Sequence, residues 1–444
     1  MAKDFRVAVL KILNEVFMNR RWAKESIDAH MDDIDDEHGD IKKVYEVVYG
    51  ILRNKTFIDF RLSAYFKNKP SDERLFNILR IGYYMLKFMK GIPDYAVINT
   101  CVEIAKTTVH PKTGPFINAI LRGVVRDTRP EPKIPGTNKT EYLSVKHSYE
   151  KWFVEFVLKN YPDEAESMLE AGSKKPPVFL KVNELKGVKT AEVTEELAKS
   201  YVTTEEVKLV KGCLKVVSGD PVKSEAFERG LFFVQDLSSQ ALISLIDADS
   251  KEAIMDIGSA PGGKAAGMAI AMKNKGNILA IEPKKERITL MERNFVRLGI
   301  ANTEIMAHDA SVDIPVLHDR ADKLLIDAPC SALGVIRRHP EKKWCLSEKE
   351  LKEFPKLQLA ILDTASKWVK KGGELFYSTC TINPAENEGL VEKFLEKNED
   401  FKLVKAVEKD SKLKDYADKN YFRSLPGSKD DMDGFFVAKM KRKA

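Results

Sequence analysis

Ala253-Ile254-Met255-Asp256-Ile257-Gly258-Ser259-Ala260-Pro261-Gly262-Gly263-Lys264 is the stretch on which the fold turns. A short apolar run reads as a buried strand and passes into a loop of small residues. A small-residue helix, AAGMAIAM at 265–272, follows. In open parallel sheets ligands sit at the carboxyl ends of strands, where glycines let the backbone approach them closely. The spacing is neither GxGxxG nor GxxxxGK[ST], which disfavours a dinucleotide or a nucleoside triphosphate. The next strand, NILAIE, ends at Glu282, an acid placed to accept hydrogen bonds from a ribose. An adenosine ligand without a pyrophosphate, such as S-adenosylmethionine, fits this combination; a structural Gly/Pro turn is the bland alternative.

Outward from the loop the same rhythm repeats. TEIMAH (303–308), KLLIDA (323–328) and GELFYS (373–378) are short apolar strands. Helical segments lie between most of them, among them KKERITLMERNFVRLG (284–299) and KLQLAILDTASKWVK (356–370), the latter expected to stop at Gly372-Gly373. Alternating units of this kind predict an α/β fold over residues 226–444: a Rossmann-like, doubly wound, mostly parallel sheet covered on both faces. Residues 140–225 read as a small α+β module, with helical character over 144–172, a strand in PPVFLKVN and a helix in TAEVTEELAKS. Residues 1–135 read as an all-α domain. Val7, Leu10, Leu13 and Val16 recur at three-residue steps, and Val97, Cys101 and Ile104 recur at steps of four and three. It closes in a linker marked by Pro130, Pro132, Pro135 and Gly136.

The 444 residues carry a net charge of only +6, too little by itself to name a nucleic-acid partner. The distribution says more: residues 51–130 hold 14 Lys/Arg against 6 Asp/Glu, after an acidic run at Asp32, Asp33, Asp35, Asp36 and Glu37. No apolar run is long enough for a membrane span. The opening MAKDFRVAVLKILNEVF is charged and helically patterned, unlike a signal peptide, so a cytoplasmic location is expected. The five cysteines are odd in number, widely spaced and without metal-ligand spacing, and the seven histidines are scattered. Neither a disulfide framework nor a metal is expected.

Position divides those cysteines. Cys330 follows the strand KLLI within Asp327-Ala328-Pro329-Cys330, and Cys380 follows ELFY within Ser378-Thr379-Cys380-Thr381. Both fall on the rim that carries the glycine loop, a place for a thiolate nucleophile. Cys101, Cys213 and Cys345 read as small core hydrophobes. Arg337, Arg338, His339 and Lys342 supply positive charge to lower a thiol pKa or hold phosphates; a solvated basic loop is the alternative.

At this point DIGSAPGGK (256–264), DAPCSALGVIRRHPEKKW (327–344) and YSTCTINPAENE (377–388), in this order, resemble the RNA cytosine-C5 methyltransferases of the Nol/Nop/Sun family. PDYAVINTCVEIAK (93–106) and PFINAILRGVVRD (115–127) are similar to the NusB-like RNA-binding domain. The combination of domains resembles the branch of the family that acts on bacterial 16S rRNA. Gly258-Ser259 stands where Cys-Ala is common in the family. The resemblance implies that Gly258, Ser259, Ala260, Pro261, Gly262, Gly263 and Lys264 cradle S-adenosylmethionine, with Glu282 on the ribose and Asp309 near the adenine. It implies that Asp327 lies beside both cofactor and base, that Cys380 attacks C6 of the cytosine, and that Cys330 assists product release. Asp327 is suited to the N3/N4 edge if it is protonated at the moment of attack. Arg337, Arg338, His339 and Lys342 would contact RNA. The substrate is then an unpaired or flipped-out cytosine of 16S rRNA, and a monomer without metal is expected. The same chemistry on tRNA or another rRNA cytosine is the near alternative. A non-catalytic RNA-binding or antitermination-type factor is the alternative of another class. A redox enzyme finds no CxxC or dinucleotide fingerprint.

Overall fold

The computed structural model describes residues 4–34, 40–128, 134, 136 and 138–444. Asp35, Asp36 and Glu37 of the acidic run, and Pro130, Pro132 and Pro135 of the linker, lie outside the described residues. The chain forms two compact units: Met1–Lys175 with Ile336–Glu348, and Pro176–Val335 with Lys349–Ala444.

The first unit is helical. Phe5–Asn19 and Asp94–Thr108 are helices, as the apolar periodicity predicts; Glu73–Phe88 and Gly114–Arg126 are helices too, and Asp40–Leu62 is the longest of the set. Asp4 and Asp72 cap two of them by accepting from the backbone N–H two residues on, which satisfies donors that the helix leaves open. Val9, Leu13, Val48, Ile51, Leu79 and Leu121 meet in one fully buried core. Helices Lys139–His147, Lys151–Asn160 and Ala165–Ser173, read from sequence as the start of the middle module, cluster with this unit.

The second unit contains two sheets. The smaller is antiparallel, in the order β2-β3-β1-β4, from β1 (Phe179–Val182), β2 (Thr203–Val207), β3 (Cys213–Ser218) and β4 (Phe232–Val234). β4 falls within the stretch that sequence gave to the catalytic domain; its pairing with β1 makes it the edge of the smaller sheet instead. The larger sheet is built on β5 (Ala253–Ile257), β6 (Asn277–Ile281), β7 (Thr303–Met306), β8 (Ala321–Asp327) and β9 (Val369–Thr379). These five are parallel, in the order β9-β8-β5-β6-β7. β10 (Phe401–Val404), β11 (Ala417–Asp418), β12 (Tyr421–Ser424) and β13 (Phe435–Arg442) extend it antiparallel beyond β9.

Successive strand residues enter opposite cores, as a period of two requires. Ile254, Leu325, Phe376 and Val437 join one core, which includes Ala265, Ala266 and Ala269 of the helix Gly263–Ala271. Met255, Leu324, Leu375, Tyr377 and Phe436 join the other, with Ile361 and Leu362 of the helix Phe354–Ala365. The sheet is thus a doubly wound, mostly parallel one with both faces covered. One local expectation fails. The helix ends at Ala365, and Gly372-Gly373 lies inside β9, where the pairing with β8 shifts register between Ala321 and Lys323. A glycine pair read as a helix stop is a strand irregularity.

Candidate active site on the sheet rim

The strand order reverses at β5, since β6 and β7 lie on one side of it and β8 and β9 on the other. The crevice outside the carboxyl ends of β5 and β8 is therefore where this architecture places a ligand. Ile257 pairs with both Ile281 and Ile326, so Gly258, Glu282 and Asp327 all lie at one level on the rim. Gly258 has φ +73°, and a Cβ there would lie 2.5 Å from the Asp327 backbone oxygen. Gly262, at φ +93°, caps the helix Gly263–Ala271, and its Cβ would meet Phe295 at 2.7 Å. Glycine is demanded at both positions by backbone conformation and by space.

Polar atoms around this loop are partly spoken for. The Ser259 hydroxyl donates to Asp256 at 2.7 Å, and the carbonyls of Ala260 and Pro261 accept from Arg287 and Asn294. Asp256 is fully buried, and that burial pushes its carboxyl up to about 7. Glu282 is 1% exposed and accepts from the Lys284 N–H through Oε1. Arg287 approaches Glu282 Oε2 to 3.0 Å, but not in hydrogen-bonding alignment, so that oxygen has no hydrogen-bond donor. A buried acceptor without a hydrogen-bond donor, beside a glycine loop, fits the hydroxyls of a ribose. Asp309 stands three residues past β7 and is exposed. Its carboxylate accepts from the Ser311 N–H at 2.9 Å and hydroxyl at 2.8 Å, which hold it below the ordinary range.

Lys264, in the first turn of the helix, turns toward β8. Its ammonium lies 2.7 Å from Asp327 Oδ2, while the Ser378 hydroxyl donates to Oδ1 at 3.3 Å. Burial alone would lower the Lys264 pKa, but Asp327, then Asp256 and Cys380, raise it. Sequence reading gave Lys264 to the cofactor loop only; the structure makes it the partner of Asp327. Cys330 and Cys380 meet with their sulfurs 3.3 Å apart, both partly exposed and both free thiols. The contact with Cys380, followed by burial, pushes the Cys330 thiol well above its ordinary range. Cys101 and Cys213 are fully buried, and burial pushes both thiols up to about 12, as suits core residues.

Arg337, Arg338, His339 and Lys342 belong to the helical unit, not to the unit that carries this rim. Arg337 is 2% and Lys342 6% exposed, and the Lys342 ammonium sits 4.4 Å from the Trp22 ring centre. These two side chains are buried, where the sequence reading expects all four to be open to phosphates. Arg338 and His339 remain partly exposed. Among the described residues no group of three or more His, Cys, Asp or Glu side chains is placed to hold a metal, and no helix is long and apolar enough to cross a membrane.

Comparisons with known proteins cover nearly all of the chain. Residues 243–441 match the family described as 16S rRNA methyltransferase RsmB/F, residues 3–126 the NusB family, and residues 149–223 the ferredoxin-like domain of RsmF/B-like methyltransferases. The probable ribosomal RNA small subunit methyltransferase B of Bacillus subtilis is 31% identical over 411 residues, 90% of each chain. The ribosomal RNA small subunit methyltransferase B of Photorhabdus laumondii is 28% identical over 443 residues, 99% of each. Among solved structures, that of PH0851 superposes with a TM-score of 0.81 at 26% identity over 98% of both chains. A methyltransferase homologue from Pyrococcus horikoshii gives 0.59 at 25% identity, over 69% of this chain and 100% of its own.

Proposed function

The chain belongs to the RsmB/F family of 16S rRNA methyltransferases, and from that premise we propose that it methylates C5 of a cytosine in 16S rRNA through a covalent bond between Cys380 and C6. The observation that carries the reading is the meeting of two free thiols, 3.3 Å apart, on the rim that also holds the Lys264–Asp327 pair. Gly258 to Lys264 with Glu282 would hold S-adenosylmethionine, and Asp309 would lie toward its adenine. When bound, it supplies an electrophilic methyl group.

Cytosine C5 is a weak nucleophile, and the protein's task is to activate it. Addition of the Cys380 thiolate to C6 makes the ring an enamine, whose C5 is then electron-rich. The Lys264 ammonium favours negative charge on the rim. Asp327 faces the N3/N4 edge, and the proton that this edge needs as charge develops crosses the Lys264–Asp327 hydrogen bond. The ion pair thus supplies what a lone Asp327 would need to carry already protonated. Cys330, its thiol pushed up by Cys380 and by burial, keeps its proton and serves release rather than attack. A paired base hides C5 and C6, so the target is unpaired or flipped out.

The basic helical unit would add phosphate contacts, which position RNA without reading its sequence. Arg338 and His339 are assigned to RNA ahead of the buried Arg337 and Lys342.

Trapping on 16S RNA containing 5-fluorocytosine tests the assignment. Cys380→Ala should form no adduct and transfer no methyl group, and Cys330→Ala should accumulate an adduct that survives SDS. An adduct with Cys380→Ala but none with Cys330→Ala would reverse the two roles. Bisulfite sequencing of rRNA and tRNA from a deletion strain separates 16S from other cytosines.

A further inference from the structure

The sequence after Cys380 contains an acid that the reaction above does not use. Glu386 is fully buried. Its Oε2 accepts from the Ser331 N–H at 2.9 Å and from Gln358 Nε2 at 2.8 Å. Its Oε1 accepts from Asn383 Nδ2 at 2.9 Å and from the Ser331 hydroxyl. Ser331 directly follows Cys330, and its oxygen lies 2.7 Å from the hydroxyl of Thr381, which directly follows Cys380. Gln358 also donates to the carbonyl of Pro329, on the other side of Cys330, at 3.0 Å. One carboxylate therefore grips the Cys330 turn, and through Ser331 it reaches the residue beyond Cys380.

Donor counting explains why an acid stands here. Four donors converge on two oxygens, and only an ionised carboxylate accepts at both without presenting a hydrogen of its own. A glutamine would turn an N–H₂ toward two of those donors. All four donors are neutral, so the charge is solvated by dipoles alone, a costly arrangement if its only purpose were to pack a turn. Its field also acts on Cys330, where it adds to the contact with Cys380 and to burial in keeping the thiol protonated.

We propose that Glu386 is a positioning residue for product release: it fixes the Cys330 turn so that the Cys330 thiol lies against Cys380 when the covalent bond to the base is broken. The inference rests on the reading of Cys380 and Cys330 given above. In that step the C5 proton passes to the Cys330 sulfur while the Cys330 S–H proton passes to the Cys380 sulfur. The C5–H electron pair becomes the C5=C6 bond, and the C6–S pair returns to Cys380. The proton on the N3/N4 edge returns through Asp327 to Lys264, neutral methylated cytosine leaves, and both thiols end protonated.

The test uses the full-length enzyme with 16S RNA and separates methyl transfer in a single turnover from the lifetime of the SDS-stable adduct. Glu386→Gln should keep single-turnover transfer within about threefold, lengthen the adduct lifetime about tenfold or more and lower steady-state turnover in step. Ser331→Ala, which removes one donor and no charge, should move the same way by a smaller factor and serves if Glu386→Gln does not fold. In the Cys330→Ala background Glu386→Gln should add nothing further. Equal loss of transfer and release in Glu386→Gln, or effects that multiply in the double variant, would overturn the proposal. If Cys330→Ala itself accumulates no adduct, the assignment of the thiols fails instead, and the two failures are told apart.

Discussion

Two lysines withdrawn from solvent, one in each unit, show how differently the same side chain is used. Lys264 on the sheet rim faces a carboxylate at 2.7 Å, and its charge is strengthened by Asp327, Asp256 and Cys380 against the effect of burial. Lys343 in the helical unit is 3% exposed and meets the Ser173 hydroxyl at 3.0 Å and the carbonyls of His147 and Arg53 at 3.1 and 3.3 Å. Its ammonium also lies 3.8 Å from the Tyr149 ring centre. Burial, followed by the Arg53 guanidinium, pushes its pKa well below the ordinary value. A buried ammonium opposite a carboxylate brings usable charge into a site. One opposite carbonyls, a hydroxyl and a ring fastens a segment, here Ile336–Glu348, to the core beside it. Sequence alone shows both as lysines near glycine or proline within family-like motifs.

Substitution sharpens this contrast. Lys264→Met should lower kcat/KM by about 100-fold or more, roughly 3 kcal/mol of transition-state stabilisation, while leaving the thermal midpoint within a few degrees. A variant that melts early and retains its activity when folded would put Lys264 in the same class as Lys343. Gly258→Ala should destabilise the fold by about 2 kcal/mol, because the new Cβ meets both a positive φ and the Asp327 backbone. Weaker binding of S-adenosylmethionine, read by calorimetry, should accompany it.

Asp256 gives the rim a pH signature. Its folded-state carboxyl holds a proton up to about 7, whereas the unfolded chain releases it near 3.8. Between those values the folded state binds the extra proton, so stability falls as pH rises and is level above them. Asp256→Asn should remove that fall, gaining on the parent by roughly 4 kcal/mol more at pH 8 than at pH 4. Denaturant melts at the two pH values measure it.

Lys343→Met should have the smallest effect, leaving stability at neutral pH unchanged or raised by about 1 kcal/mol. Here the unfolded chain holds the extra proton, from the depressed folded value up to 10.5. Stability of the parent therefore rises with pH across that window, and the methionine variant should lose this slope. A slope of the opposite sign would mean that Lys343 has a carboxylate partner after all.

Much of the rim was legible because it follows from periodicity. Each of β5, β6, β8 and β9 announces itself as an apolar run, and a parallel sheet puts whatever follows those runs on one edge. That is why Gly258, Glu282, Asp327, Cys330 and Cys380 were foreseen together. Lys264 was assigned to the loop alone because a lysine's reach across a crevice is not encoded in its neighbours. Glu386 was overlooked within NPAENE since an acid among prolines and asparagines looks solvated. Only the four donors that close around it mark it as interior, and Ser331 and Gln358 stand 55 and 28 residues away. The burial of Arg337 and Lys342 is hidden for the converse reason, as charge in a loop suggests exposure, yet Trp22, far away in sequence, lies against Lys342.

The alternation of strands and helices, and which residues follow each strand onto the rim, were determined by the sequence itself, because they depend on local spacing and on which faces are apolar. Whether two thiols touch, which carboxylate an ammonium chooses, and whether a charge is a tool or a fastening were decided only in the tertiary structure. These depend on distances between groups separated by tens to hundreds of residues, and electrostatic and hydrogen-bond energies change steeply over such distances once water is excluded.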